Sequence, residues 1–102
     1  METYIGVVTH YFNHLGVAVL SLTRELRIND IVHVVGHTTD FCQKTLSLEI
    51  NHHQVEVGRP DEDVAMKVIG VVRSGDKVYL APEGIPTRPE DIQQQWLDEW
   101  ER

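Results

Sequence analysis

Between residues 4 and 81, apolar side chains come in short runs of Val, Ile, Leu and Tyr broken by Gly, Asn, Asp and Pro, the punctuation of strands and turns. The spacing predicts strands at Tyr4 to Phe12, Leu15 to Leu22, Ile31 to Val35, Phe41 to His53, Val64 to Val72 and Lys77 to Ala81. Asn13-His14 with Gly16, Asn29-Asp30, Gly36, Gly58-Arg59-Pro60-Asp61 and Ser74-Gly75-Asp76 supply the turns between them. Alternation is cleanest where Leu46, Leu48 and Ile50 hold one phase and Thr45, Ser47, Glu49 and Asn51 the other, so one face is expected in the core and one in water. Leu15 to Leu22 is apolar in both phases, which predicts a strand covered on both sides. With no βαβ spacing, the body is expected to be all-β, a small six-or-so-stranded antiparallel β-barrel, because closure removes exposed strand edges.

The pattern changes where Pro82, Pro86 and Pro89 crowd together, since proline lacks the amide donor that a continuing ladder needs. Residues 1–82 are therefore expected to form the barrel, and 83–102 a Pro-rich linker and a short amphipathic helix. Thr87-Arg88-Pro89-Glu90 has the form of a capping box. Beyond it Ile92, Trp96 and Trp100 recur at helical spacing with Leu97 widening the stripe. A helix of about 13 residues is marginal alone in water, so this stripe is expected to dock, on its own barrel or on a partner chain.

Charge sharpens that division. The chain has 9 Lys plus Arg against 16 Asp plus Glu, net −7, but residues 1–82 carry only −3 and the last 20 residues carry −4. This balance argues against binding nucleic acid by bulk charge neutralisation. A local basic patch from Arg24, Arg27, Lys44 and Arg73 is left open. One cysteine, Cys42, cannot make an intrachain disulfide, and no apolar run approaches the roughly 18 residues of a membrane span. A cytoplasmic domain with no membrane contact is the expectation.

Candidate chemistry is sparse. His10 and His14, and His33 and His37, are four residues apart, but on a strand that separation is about 13 Å, too far to share a zinc ion. His52 and His53 point to opposite strand faces. Asp61-Glu62-Asp63 reads as a solvated loop, and Cys42 as an inert strand residue. No nucleophile elbow, dinucleotide loop or P-loop is present. The expectation is a non-enzymatic chain with no cofactor and no metal.

The order of the pieces carries a resemblance. Ile5-Gly6-Val7-Val8-Thr9-His10-Tyr11-Phe12, then Leu15-Gly16-Val17-Ala18-Val19, then Leu26 to Gly36, then Gly36-His37-Thr38-Thr39-Asp40-Phe41, and finally Arg73-Ser74-Gly75-Asp76-Lys77-Val78-Tyr79-Leu80 follow one another through the body. Together they resemble the β-barrel of domain 2 of translational GTPases such as elongation factor Tu. The Gly-His-Thr-Thr-Asp-Phe stretch looks like a branch of small stand-alone barrels and the C-terminal barrels of collagenase-like peptidase and tRNA-hydroxylation proteins. Two departures stand out: Asn29 occupies a turn position where that family usually has Gly, and Pro60-Asp61-Glu62-Asp63-Val64-Ala65 lacks both glycines of the family's loop, so that loop is expected to be rebuilt. The GTPase domain itself is absent. The resemblance implies a translation-linked recognition barrel that binds RNA, a tRNA end or a protein partner, with Glu49, Asn51 and His52 falling on the stretch that contacts tRNA in the family. The alternative is an accessory subunit of a peptidase-like or tRNA-modifying enzyme, docking through Ile92, Trp96, Leu97 and Trp100.

Overall fold

Phe12 begins a tight turn: its carbonyl accepts from the amides of Leu15 (3.1 Å) and Gly16 (2.9 Å), and Gly16 takes φ 66°, which a side chain would resist. The turn joins β1 (Thr3–Phe12) to β2 (Val17–Leu22), the longest antiparallel ladder in the computed structural model, which describes residues 2–81. The remaining strands are β3 (Leu26–Arg27), β4 (Ile31–Val35), β5 (Asp40–Lys44), β6 (Glu49–Ile50), β7 (His53–Gln54), β8 (Val57–Gly58), β9 (Asp63–Lys67) and β10 (Lys77–Leu80). No helix occurs among the described residues. Pro82 and the helix expected after Thr87 lie outside them.

Eight strands form one sheet in the order β5-β4-β10-β1-β2-β9-β6-β7, and β3 pairs with β8 in a second, two-stranded sheet. Every ladder is antiparallel. The all-β expectation holds, but the expected closed barrel does not: the ladder stops at β5 on one edge and β7 on the other. A side chain spans the gap instead. Gln43, fully buried on β5, accepts from the Ile69 amide at 2.8 Å and donates to the Lys67 carbonyl at 2.9 Å, at the end of β9.

The core is one cluster in which Ile5, Val8, Ala18, Leu20, Leu22, Leu26, Val32, Val34, Leu48, Val64, Met66 and Val78 are almost wholly buried. Removing one of the larger of these side chains would cost about 2–5 kcal/mol. Strands at Ile31–Val35 and in the two hairpin arms lie where the alternation put them. Two expectations are corrected. Only one phase of β2 is buried, Ala18, Leu20 and Leu22, while Val17, Val19 and Ser21 are half-exposed. The predicted strand Phe41 to His53 is three strands, because the chain leaves the sheet at Thr45, whose amide donates to the Asp30 carbonyl while its carbonyl accepts from the Asn29 amide. The phase shifts there, so Thr45 is buried and Leu46 is 39% exposed.

Two turns hold a positive φ without glycine. Asp61 sits at φ 70° and Asn29 at φ 80°. Asp and Asn are the non-glycine residues that tolerate this region best, which explains how the chain dispenses with glycine at both turns.

Candidate functional site

Two surfaces bring chemistry-bearing side chains together. On the outer face of the sheet, pairing aligns Cys42 of β5, His33 of β4, Tyr79 of β10 and Tyr4 of β1 in a cross-strand row, with the two tyrosine rings edge to face at 5.7 Å. His33 is clasped from both sides: Nδ1 lies 2.8 Å from a Glu2 carboxylate oxygen and Nε2 2.6 Å from Asp40 Oδ1. Burial works against the charged ring, but the hydrogen bonds and charges of Asp40 and Glu2 outweigh it, and the His33 pKa is raised above 6.5. With both ring nitrogens committed to carboxylates, His33 has none left to take a proton from Cys42. The row is thus an ion-paired surface rather than a nucleophile with its base.

The second surface is a groove of about 600 Å³ where the small β3–β8 sheet meets the β6–β7 hairpin. Its walls come from three stretches of chain: Arg27 to Asn29, Leu46 to Leu48, and Gln54 to Val57. The backbone ties that hold these walls are Ile28 N to Glu56 O and Val55 N to Leu48 O. Apolar Ile28, Leu46, Leu48, Val55 and Val57 and polar Arg27, Asn29, Ser47, Gln54 and Glu56 line it in mixture. Such a volume is within the usual range of small-ligand sites. The sequence offered a faint signal for it, Val55 and Val57 alternating with the polar Gln54 and Glu56, too short to distinguish from an ordinary edge strand.

Of the residues chosen from sequence, the structure gathers some and separates others. Asn51 and His52 form the β6–β7 turn at φ 53° and 68°, with Glu49 at its base, paired with Gln54 and Ala65. Arg27 lines the adjoining groove, though its Nε is 2.6 Å from a Glu25 carboxylate oxygen. Arg24 is exposed between β2 and β3, and Lys44 ends β5 opposite Ile31. Arg73 stands apart, in the turn that precedes β10, and does not line the groove. Ile92, Trp96, Leu97 and Trp100 lie outside the described residues. Among the described residues no three His, Cys, Asp or Glu side chains come together as a metal site. The two motif stretches singled out above meet structurally: the absent side chain of Gly36 leaves room for the Asp76 carboxylate, which also accepts from the Arg73 amide at 2.9 Å.

No family model matches the chain. An uncharacterized protease of Methanocaldococcus jannaschii is 37% identical over 82 residues, 79% of this chain and 20% of that protein, so the chain spans about a fifth of the length of the curated relative it matches. Among solved structures, the C-terminal domain of a Geobacillus thermoleovorans protein named as a U32 peptidase is similar with a TM-score of 0.74 at 19% identity, over 78% of this chain and 93% of that domain. Its selenomethionine variant gives 0.70 at 20% identity, over 74% and 95%. The peptidase side of the resemblance is therefore the one the fold supports. The translation and elongation-factor reading is corrected by the same findings, since the relative is named a protease and the matched fold is a peptidase's C-terminal domain. Among the described residues no helix is long and apolar enough to cross a membrane.

Proposed function

We propose that this chain is an accessory, non-catalytic domain of a U32-peptidase-type enzyme, one that docks on a catalytic body and helps present polypeptide to it. The observation that carries the reading is the fit in size and fold to an isolated C-terminal domain, matched over 93% of its length. The end of the molecule at the β1–β2 hairpin suits the docking role. There Phe12 is 48% exposed and Leu15 65%, and the segment bearing Val71, 70% exposed, is tied to the same hairpin by Val68 N to Gly16 O and Gly75 N to Val8 O. Large apolar side chains held outward at one end mark a contact surface.

The test is to mix the purified chain with the catalytic part of a U32-type peptidase that lacks its own C-terminal domain. Co-elution and increased hydrolysis of an unstructured peptide are expected, and both should fall with Leu15→Glu and Phe12→Glu. Absence of co-elution at concentrations well above those of ordinary protein complexes would refute the reading.

A further inference from the structure

We propose that His33 is a pH-operated latch: with both ring nitrogens protonated it ties the start of β1, through Glu2, to the β4–β5 edge of the sheet, and on losing one proton it keeps Asp40 and releases Glu2. The clasp reaches from β1 across β10 to β4. Glu2 stands just before the first β1–β10 pair, Thr3 with Leu80, while His33 lies on the far side of β10, where it pairs with Tyr79. The Glu2 carboxylate nevertheless brackets Nδ1, with Oε1 at 3.0 Å and Oε2 at 2.8 Å, and Asp40 Oδ1 holds Nε2 at 2.6 Å. The device concerns contacts within the sheet and does not rest on the accessory-domain reading.

Each contact needs an N–H, and only the imidazolium has one on both nitrogens. A neutral ring keeps a single N–H and turns a lone pair toward the other carboxylate, so one carboxylate must leave. Asp40 is fixed within the β4–β5 ladder, where it pairs with Val35, whereas Glu2 lies outside the ladder and regains side-chain freedom when released. The start of β1 is also weakly held: the register shifts between Tyr4 and Gly6, so beyond that irregularity only the pairs Thr3–Leu80 and Tyr4–Tyr79 fasten it to β10. The other ionisable groups on this face are Tyr79 and Lys77 of β10, Cys42 and Lys44 of β5, and Tyr4 of β1, while β4 itself adds the apolar Ile31 and Val35. Burial and the lysines oppose the charged ring, but the contacts to Asp40 and Glu2 outweigh burial and hold the proton to above 6.5. The latch is therefore closed below that value and opens as pH rises through the folded one, in the range where imidazole is the side chain that switches.

Nitrogen-15 NMR of the intact chain, titrated from about pH 5 to about pH 9, tests this. The His33 ring nitrogens report the charge and the tautomer, and the Thr3 and Tyr4 amides report the start of β1. The neutral ring is expected as the Nε2–H form, and the Thr3 and Tyr4 signals should move with the same midpoint as the ring while Val8, beyond the irregularity, stays still. Two variants should lock opposite states. Glu2→Ala removes the tied group, so Thr3 and Tyr4 should hold their high-pH positions throughout. Asp40→Asn lets the amide donate to a neutral Nε2, which leaves Nδ1–H on Glu2, so Thr3 and Tyr4 should hold their low-pH positions throughout. The proposal is overturned if His33 titrates without moving Thr3 and Tyr4, if the neutral ring carries its proton on Nδ1 in the native chain, or if the two variants leave Thr3 and Tyr4 in the same position.

Discussion

Replacing Gln43 with Met tests whether one buried amide holds the open sheet together. The side chain is 0% exposed; Oε1 accepts from Ile69 N at 2.8 Å, and Nε2 donates to Lys67 O at 2.9 Å and to Lys44 O at 3.1 Å. Met keeps the length and the fit but offers no hydrogen bond, leaving the Ile69 amide and the Lys67 carbonyl without the partner they have in the native chain. Each such loss costs about 1–3 kcal/mol when the group is buried, and the more apolar side chain recovers part of it. A net loss of about 3 kcal/mol is expected, which for a domain of this size lowers Tm by about 12–24 °C. Urea unfolding should show a lower midpoint with an unchanged slope, and exchange of the Ile69 amide should become much faster than that of the β1–β2 ladder. Gln43→Glu refines the test. A protonated carboxyl can both donate and accept, while burial opposes the anion, so the folded pKa of the new acid lies above its unfolded value and the variant should be most stable at low pH and weaken as pH rises. If Gln43→Met unfolds within about 0.5 kcal/mol of the native chain, a difference usual for surface substitutions, the seam is held by something else.

Three further outcomes follow from particular contacts. Because the His33 pKa is raised in the folded chain, the stability from its clasp should be fully present below the ordinary value of 6.5 and be lost as pH rises through the folded value; with Asp40 78% exposed, the change should be about 1 kcal/mol, read as the pH dependence that His33→Gln abolishes. Asn29→Ala and Asp61→Ala should each destabilise by about 1 kcal/mol because both residues hold positive φ, while His52→Gly should stabilise by about 0.5–1 kcal/mol; equal unfolding midpoints would disprove the turn geometry. Thr45→Val should raise stability by about 1 kcal/mol, since the buried Oγ1 has no hydrogen-bond partner among the described residues, and a fall in the urea midpoint would show that the hydroxyl is satisfied.

Strands were legible where one period governs a long enough run. Ile31–Val35 shows the alternation plainly, with Val32 and Val34 inward. The region from 45 to 58 was not, because its order comes from backbone bonds between distant segments, such as Asn29 N to Thr45 O and Ile28 N to Glu56 O, which leave no periodic trace. The same fact hid the groove, whose walls come from three separate stretches. Barrel closure was inferred from the general cost of open edges, a correct pressure met here by a different device: one glutamine side chain where a ladder was expected. Turn chemistry was half legible. Glycine-free turns at Asn29 and Asp61 were visible as departures, yet the residues present can adopt the same positive φ.

The placement of the cations argues for a protein surface over a nucleic-acid one, and salt can decide it. Arg24, Arg27 and Lys44 lie toward the groove end and Arg73 at the opposite end of β10, while Arg27 already faces Glu25 at 2.6 Å. At most three of these side chains could meet one phosphate backbone at once. For duplex or single-stranded RNA that layout predicts a dependence of log K on log salt no steeper than about −2 to −3, superimposed on repulsion from a chain of net charge −7. Docking of Phe12, Leu15 and Val71 on a catalytic body rests on apolar area and should hold nearly constant affinity over the same range of salt. A tRNA titration with a slope well beyond about −3 would require phosphate contacts from further exposed cations such as Arg59, Lys67 and Lys77, and would refute the apolar docking face.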